Sequence, residues 1–66
     1  MPIVNIKLAK PELDKNTKEQ LMKDITELLA TKYNKAKERI VVQIEDIEAF
    51  NIAFGGETVE KLKAKK

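Results

Sequence analysis

The sequence predicts a small α/β (α+β) protomer: two parallel strands joined by one helix, then a short C-terminal hairpin. Three observations carry that prediction. Apolar side chains alternate with polar ones in IVNIKL, return at helical spacing between Leu21 and Leu29, and alternate again in RIVVQIE. Strand, helix and strand within so short a span imply a parallel pair, because parallel strands need a long crossover and a helix supplies it. The chain of 66 residues is read as a single domain over 1–66. No internal repeat or linker interrupts it.

The first strand is expected at residues 3–9, where Val4, Ile6 and Leu8 alternate with Asn5 and Lys7. Pro11 ends it. Asn16 followed three residues later by Glu19 has the form of a capping box and predicts the helix start. From there Leu21, Met22, Ile25, Leu28 and Leu29 form one apolar stripe, with Glu19, Lys23 and Glu27 on the outer face, and the helix is expected to run to Tyr33. NKAKER turns the chain into a second strand in which Ile40, Val42 and Ile44 share one face. Phe50, Ile52 and Phe54 alternate once more before Gly55 and Gly56, which predicts a ribbon closed by a glycine turn. The lysine-rich end, residues 61–66, is expected to be frayed.

Composition narrows what such a domain can do. Cysteine and histidine are both absent, which removes disulfides, the usual zinc sites, the best nucleophile and the commonest general base. A core this small stabilises a domain by only about 3–5 kcal/mol, so neighbouring subunits are the expected support. Two strands alone also leave sheet edges and one sheet face open. Four of the thirteen basic residues lie in KLKAKK, and residues 1–60 carry nine against eleven acidic ones. The folded body therefore lacks the basic, aromatic-studded stripe of a nucleic-acid binder. No apolar run approaches the ~18 residues of a membrane span and no signal-peptide layout opens the chain, so a cytoplasmic protein is expected.

Few groups remain for chemistry. Glu45, Asp46 and Glu48 could hold a hard cation, but they lack calcium-loop spacing and read more simply as a solvated strand end; no metal is expected. GGET could cradle an anion, though a lone Gly-Gly reads more simply as a backbone turn. The threonines have no imidazole partner to activate them. One base survives, the chain terminus. Removal of Met1, usual before a small residue, would leave Pro2 with a free secondary amine, and an α-amino group has a reference pKa of roughly 8 that cationic neighbours lower. While Met1 precedes it, the same nitrogen is a tertiary amide without a basic lone pair.

MPIVNIKL, the Leu21–Leu29 stripe, RIVVQIED and FGGE, in this order and spacing over nearly the whole chain, resemble the 4-oxalocrotonate tautomerase family. The resemblance implies a β-α-β protomer, dimers with a four-stranded sheet, commonly a hexamer, and cofactor-free keto-enol tautomerisation of a 2-hydroxydienoate or similar enol acid with Pro2 as general base. It also implies cations around the substrate, and here the sequence departs from the pattern. Val41 takes the place of the usual strand arginine, with Arg39 two residues earlier as the nearest substitute for substrate and enolate stabilisation. Lys10 is the nearest cation to the second usual arginine, and it lacks the fork that grips a carboxylate in bidentate fashion. Ile52 takes the place of the aromatic pocket wall.

Other readings compete with these. Arg39 reads equally as a solvated cation at a strand end, and Phe50 and Phe54 as core or subunit-interface residues. A non-catalytic oligomer with the same fold, or a lysine-tailed module contacting acidic partners, would fit the same composition.

Overall fold

In the computed structural model, which describes residues 1–65, β1 (Ile3–Ala9) leads into α1 (Lys15–Lys32) and β2 (Val41–Ile47), with a 3-10 turn at Lys37–Arg39 between the last two. A second 3-10 turn at Ala49–Asn51 precedes the hairpin of β3 (Ala53–Phe54) and β4 (Glu57–Thr58) and a final helix, α2 (Val59–Ala64). β1 and β2 pair in parallel, in a register running from Ile3 opposite Val41 to Ala9 opposite Ile47. The β-α-β protomer with parallel strands and a C-terminal hairpin is therefore the observed architecture.

Local chemistry fixes where the elements start and stop. The cap of α1 is Asp14 rather than Asn16: its Oδ1 accepts the Thr17 N–H at 2.7 Å. An aspartate caps as well as an asparagine, and the earlier start orders two more residues. At the other end Asn34 takes a positive φ of 55° and the Lys35 N–H donates to the Leu29 carbonyl at 3.1 Å, closing the helix. Gly55 and Gly56 have φ of 59° and 87°, the pair of positive values that a two-residue type I′ turn requires. The expected ribbon through Phe50, Ile52 and Phe54 is broken, because Phe50 lies in the 3-10 turn and only Phe54 is in a strand.

The lysine-rich end, expected to be frayed, starts out helical. Residues 61–64 belong to α2, whose N-cap Thr58 accepts the Lys61 N–H, while residue 66 lies outside the described residues. Lys65 pairs with Glu57, and Lys63 Nζ donates to the Lys10 carbonyl at 3.1 Å.

Alternation sorts the β1–β2 sheet into two faces. Val4, Ile6 and Leu8, with Val42, Ile44 and Asp46 opposite them, are partly covered on the α1 side, where Leu21, Met22, Ile25 and Leu29 are likewise half-buried. Lys18 of α1 reaches across this layer to Asp46 and also contacts Glu12 at 3.2 Å. On the other face Ile3, Asn5, Lys7 and Ala9 are exposed, and Ile3 keeps 59% of its surface.

No side chain among the described residues is fully buried. The accessible surface is 5341 Å², against roughly 4,200 Å² for a folded monomer of this mass. The radius of gyration is 15.4 Å, against about 11 Å for a compact chain of this length. A single protomer thus leaves on the order of 1,100 Å² more surface in water than a self-sufficient fold of its mass.

Candidate active site

Parallel pairing decides which of the candidate residues share an end of the sheet. Pro2 precedes β1, half-buried, and its carbonyl accepts the Val41 N–H at 2.9 Å, so the terminus is tied to the head of β2. Continuing the register one and two residues back places Ile40 opposite Pro2 and Arg39 opposite Met1, on strands about 4.8 Å apart. Met1 itself is 80% exposed, so the bond that must be cut to free Pro2 is open to solvent.

Arg39 is the last residue of the 3-10 turn, not a strand residue. Its N–H donates to the Ala36 carbonyl at 3.0 Å, and the Ile40 N–H donates to the Lys37 carbonyl at 3.2 Å. Arg39 therefore does not lie on a strand face with Val41; what it shares with Pro2 is an end of the sheet. Its guanidinium is exposed and, among the described residues, in no ion pair. It remains available to an anion.

Lys10 and Ile52 lie at the opposite end. The Lys10 N–H donates to the Ile47 carbonyl at 2.9 Å, extending the ladder past β1, and eight residues of extended chain put it about 26 Å from Pro2. Its ammonium bonds Glu48 Oε2 at 2.8 Å, and this contact raises the Lys10 pKa above the ordinary lysine value. Ile52 follows the second 3-10 turn, half-buried, with its carbonyl accepting the Val59 N–H at 2.7 Å. One protomer therefore brings Pro2 and Arg39 together and Lys10 and Ile52 together, but not the two pairs.

The sequence missed the partner of Lys10. Glu48 had only the look of a solvated carboxylate in IEDIEAF, because nothing local reveals a contact 38 positions away. The cation-binding reading of that segment is not supported: Glu45 is exposed on the open face, Asp46 is on the α1 side beneath Lys18, and Glu48 faces Lys10. Among the described residues no group of three or more possible ligands assembles.

The principal clefts of the protomer run along α1, one lined by Glu19, Met22, Thr26, Lys37 and Val42 and another by Leu13, Lys18 and Met22. They are gaps beside a helix that covers a two-stranded sheet incompletely, and Pro2 lines none of them. Among the described residues, no helix is long and apolar enough to cross a membrane.

Both the sequence and the fold have counterparts among known proteins. A family model described as tautomerase enzyme matches residues 2–62. A probable tautomerase of Campylobacter jejuni is 66% identical over 65 residues, covering 98% of this chain and 96% of that protein. The crystal structure of DmpI from Helicobacter pylori superposes with a TM-score of 0.84 at 34% identity, covering 98% of this chain and 100% of that one. The fold also matches a heterohexamer 4-oxalocrotonate tautomerase from Chloroflexus aurantiacus, with a TM-score of 0.80 at 14% identity over 94% and 98% of the two chains.

Proposed function

The chain belongs to the tautomerase family, and from that membership we propose that it catalyses keto-enol tautomerisation of a 2-hydroxydienoate or similar enol acid, with Pro2 as the base once Met1 is removed. The observation that carries this reading is the pairing of Pro2 and Arg39 at one end of the β1–β2 sheet, with the proline tied in place by Val41. A general base must be fixed, and a carbonyl anchored in a sheet ladder fixes the adjoining nitrogen.

The neutral amine takes the enol proton. The O–H electron pair becomes the new C=O bond, the π electrons move along the diene, and the prolyl ammonium returns the proton to carbon. Substrate and product are isomers, so the reaction balances without a cofactor. Negative charge collects on the substrate oxygen during the transfer, and the Arg39 guanidinium is the cation of this chain placed to donate toward the acid's anionic end.

The site is completed by a second copy. β1 has one strand neighbour, leaving its outer edge unpaired. A two-fold axis at that edge pairs two β1 strands antiparallel, an isologous contact. Centred on Ile6, the midpoint of β1, such pairing sets Lys10 of the partner subunit beside Pro2 and builds a four-stranded sheet. The excess surface of the protomer supports assembly, and the Chloroflexus protein is itself described as a heterohexamer. The absence of cysteine suits work in the cytoplasm.

Mass spectrometry should find native protein beginning at Pro2. Trimmed protein should ketonise an enol acid faster than buffer, Pro2→Ala should lose that rate, and Arg39→Ala should raise KM. A rate no higher than buffer, or one untouched by Pro2→Ala, removes the proposal.

A further inference from the structure

We propose that Glu48, acting through Lys10, restricts the site to acids that carry a single carboxylate. The inference rests on the functional reading above, in which the Lys10 end of one chain meets Pro2 of another. Pro2 would then lie between two regions of different charge. On its own chain stands Arg39, exposed and in no ion pair among the described residues. The partner end carries Lys10, Lys18 and Lys63 against Glu12, Asp46 and Glu48, a formal charge of zero.

The contacts show how each lysine is occupied. Lys18 is held by Asp46 and Glu12. Lys63 donates to the Lys10 backbone carbonyl at 3.1 Å. Lys10 Nζ is on Glu48 Oε2 at 2.8 Å, and both side chains are partly accessible. Glu48 is placed by the backbone: it caps the 3-10 turn at Ala49–Asn51, and its carbonyl accepts the Asn51 N–H at 2.8 Å.

An acid with one carboxylate needs only Arg39. An acid with a second carboxylate at its far end must either displace Glu48 from Lys10 or lie beside a charge of its own sign. With Glu48 on it, the Lys10 ammonium keeps donors free but offers a second carboxylate no net positive charge. Glu48 is thus a positioning residue for specificity, not a catalytic one.

The test compares kcat/KM of the trimmed full chain for a 2-hydroxydienoate with one carboxylate and for its counterpart with a carboxylate at each end. Wild type should favour the first. Glu48→Gln should raise the two-carboxylate to one-carboxylate ratio roughly two- to fivefold, the size of a partly exposed ion pair, with the gain shrinking as salt is added. The double variant Lys10→Met with Glu48→Gln should lose that gain. Partial unfolding would scale both rates by the same factor, so the ratio still reports the folded fraction. A wild-type preference for the two-carboxylate acid, an unmoved ratio in Glu48→Gln, or a gain that persists without Lys10 overturns the inference while leaving the tautomerase reading intact. If neither acid turns over, the functional reading falls and takes this inference with it.

Discussion

Ile3→Ala tests whether the open sheet face is covered by other copies of the chain. Ile3 keeps 59% of its surface in the protomer, on the face away from α1, so more than half of what truncation removes is surface that the isolated chain leaves in water. Burial is worth about 0.8 kcal/mol per CH₂ group, and the change deletes three carbons, roughly 2.4 kcal/mol if all of that burial came from assembly. Scaled by the exposed fraction, the share lost from the interface is about 1.4 kcal/mol per copy, a factor of about ten in association. Where two copies pack these open faces together across a two-fold axis the residue is presented twice, so the dissociation constant of that face-to-face contact should rise about 100-fold. Sedimentation velocity over a dilution series reads this directly, with circular dichroism confirming that the chain still folds. A dissociation constant within about threefold of wild type, or a wild-type protein that is monomeric throughout, would refute the argument.

Two further outcomes follow from local structure. Gly56→Ala places a Cβ at φ 87° with open space around it, so its cost is conformational, about 1–2 kcal/mol, and a thermal melt at fixed protein concentration should show a lower midpoint. Asp14 has its pKa held below the ordinary carboxylate value, chiefly by the Thr17 N–H; its stabilising contribution is therefore complete above the unfolded pKa and lost as pH falls through the lower folded value. Asp14→Ala should consequently lower the melting midpoint at pH 7 and narrow its gap to wild type in strong acid.

Several features are legible in the amino-acid order because they depend on residues close together in the chain. The alternation from Ile3 to Leu8 sets the bounds of β1, since a period of two has one strand solution. The Leu21–Leu29 stripe locates α1, and Gly55–Gly56 the hairpin turn. The start of α1 is harder to read, because Asp14 and Asn16 are both competent caps. The second 3-10 turn escapes a local reading because Phe50, Ile52 and Phe54 have the spacing of a strand, and α2 escapes it because its lysines suggest a solvated end.

By itself, then, the sequence determined the β-α-β order and narrowed the candidate base to Pro2, since periodicity and the absence of cysteine and histidine are properties of residues and their near neighbours. Only the tertiary structure decided where the candidates meet. Parallel pairing at a fixed offset sends Pro2 and Arg39 to one end of the sheet and Lys10 and Ile52 to the other, and an ion pair spanning 38 positions occupies Lys10. Register and long-range pairing are set by burial and charge summed over the whole fold, and no local window of the chain contains that sum.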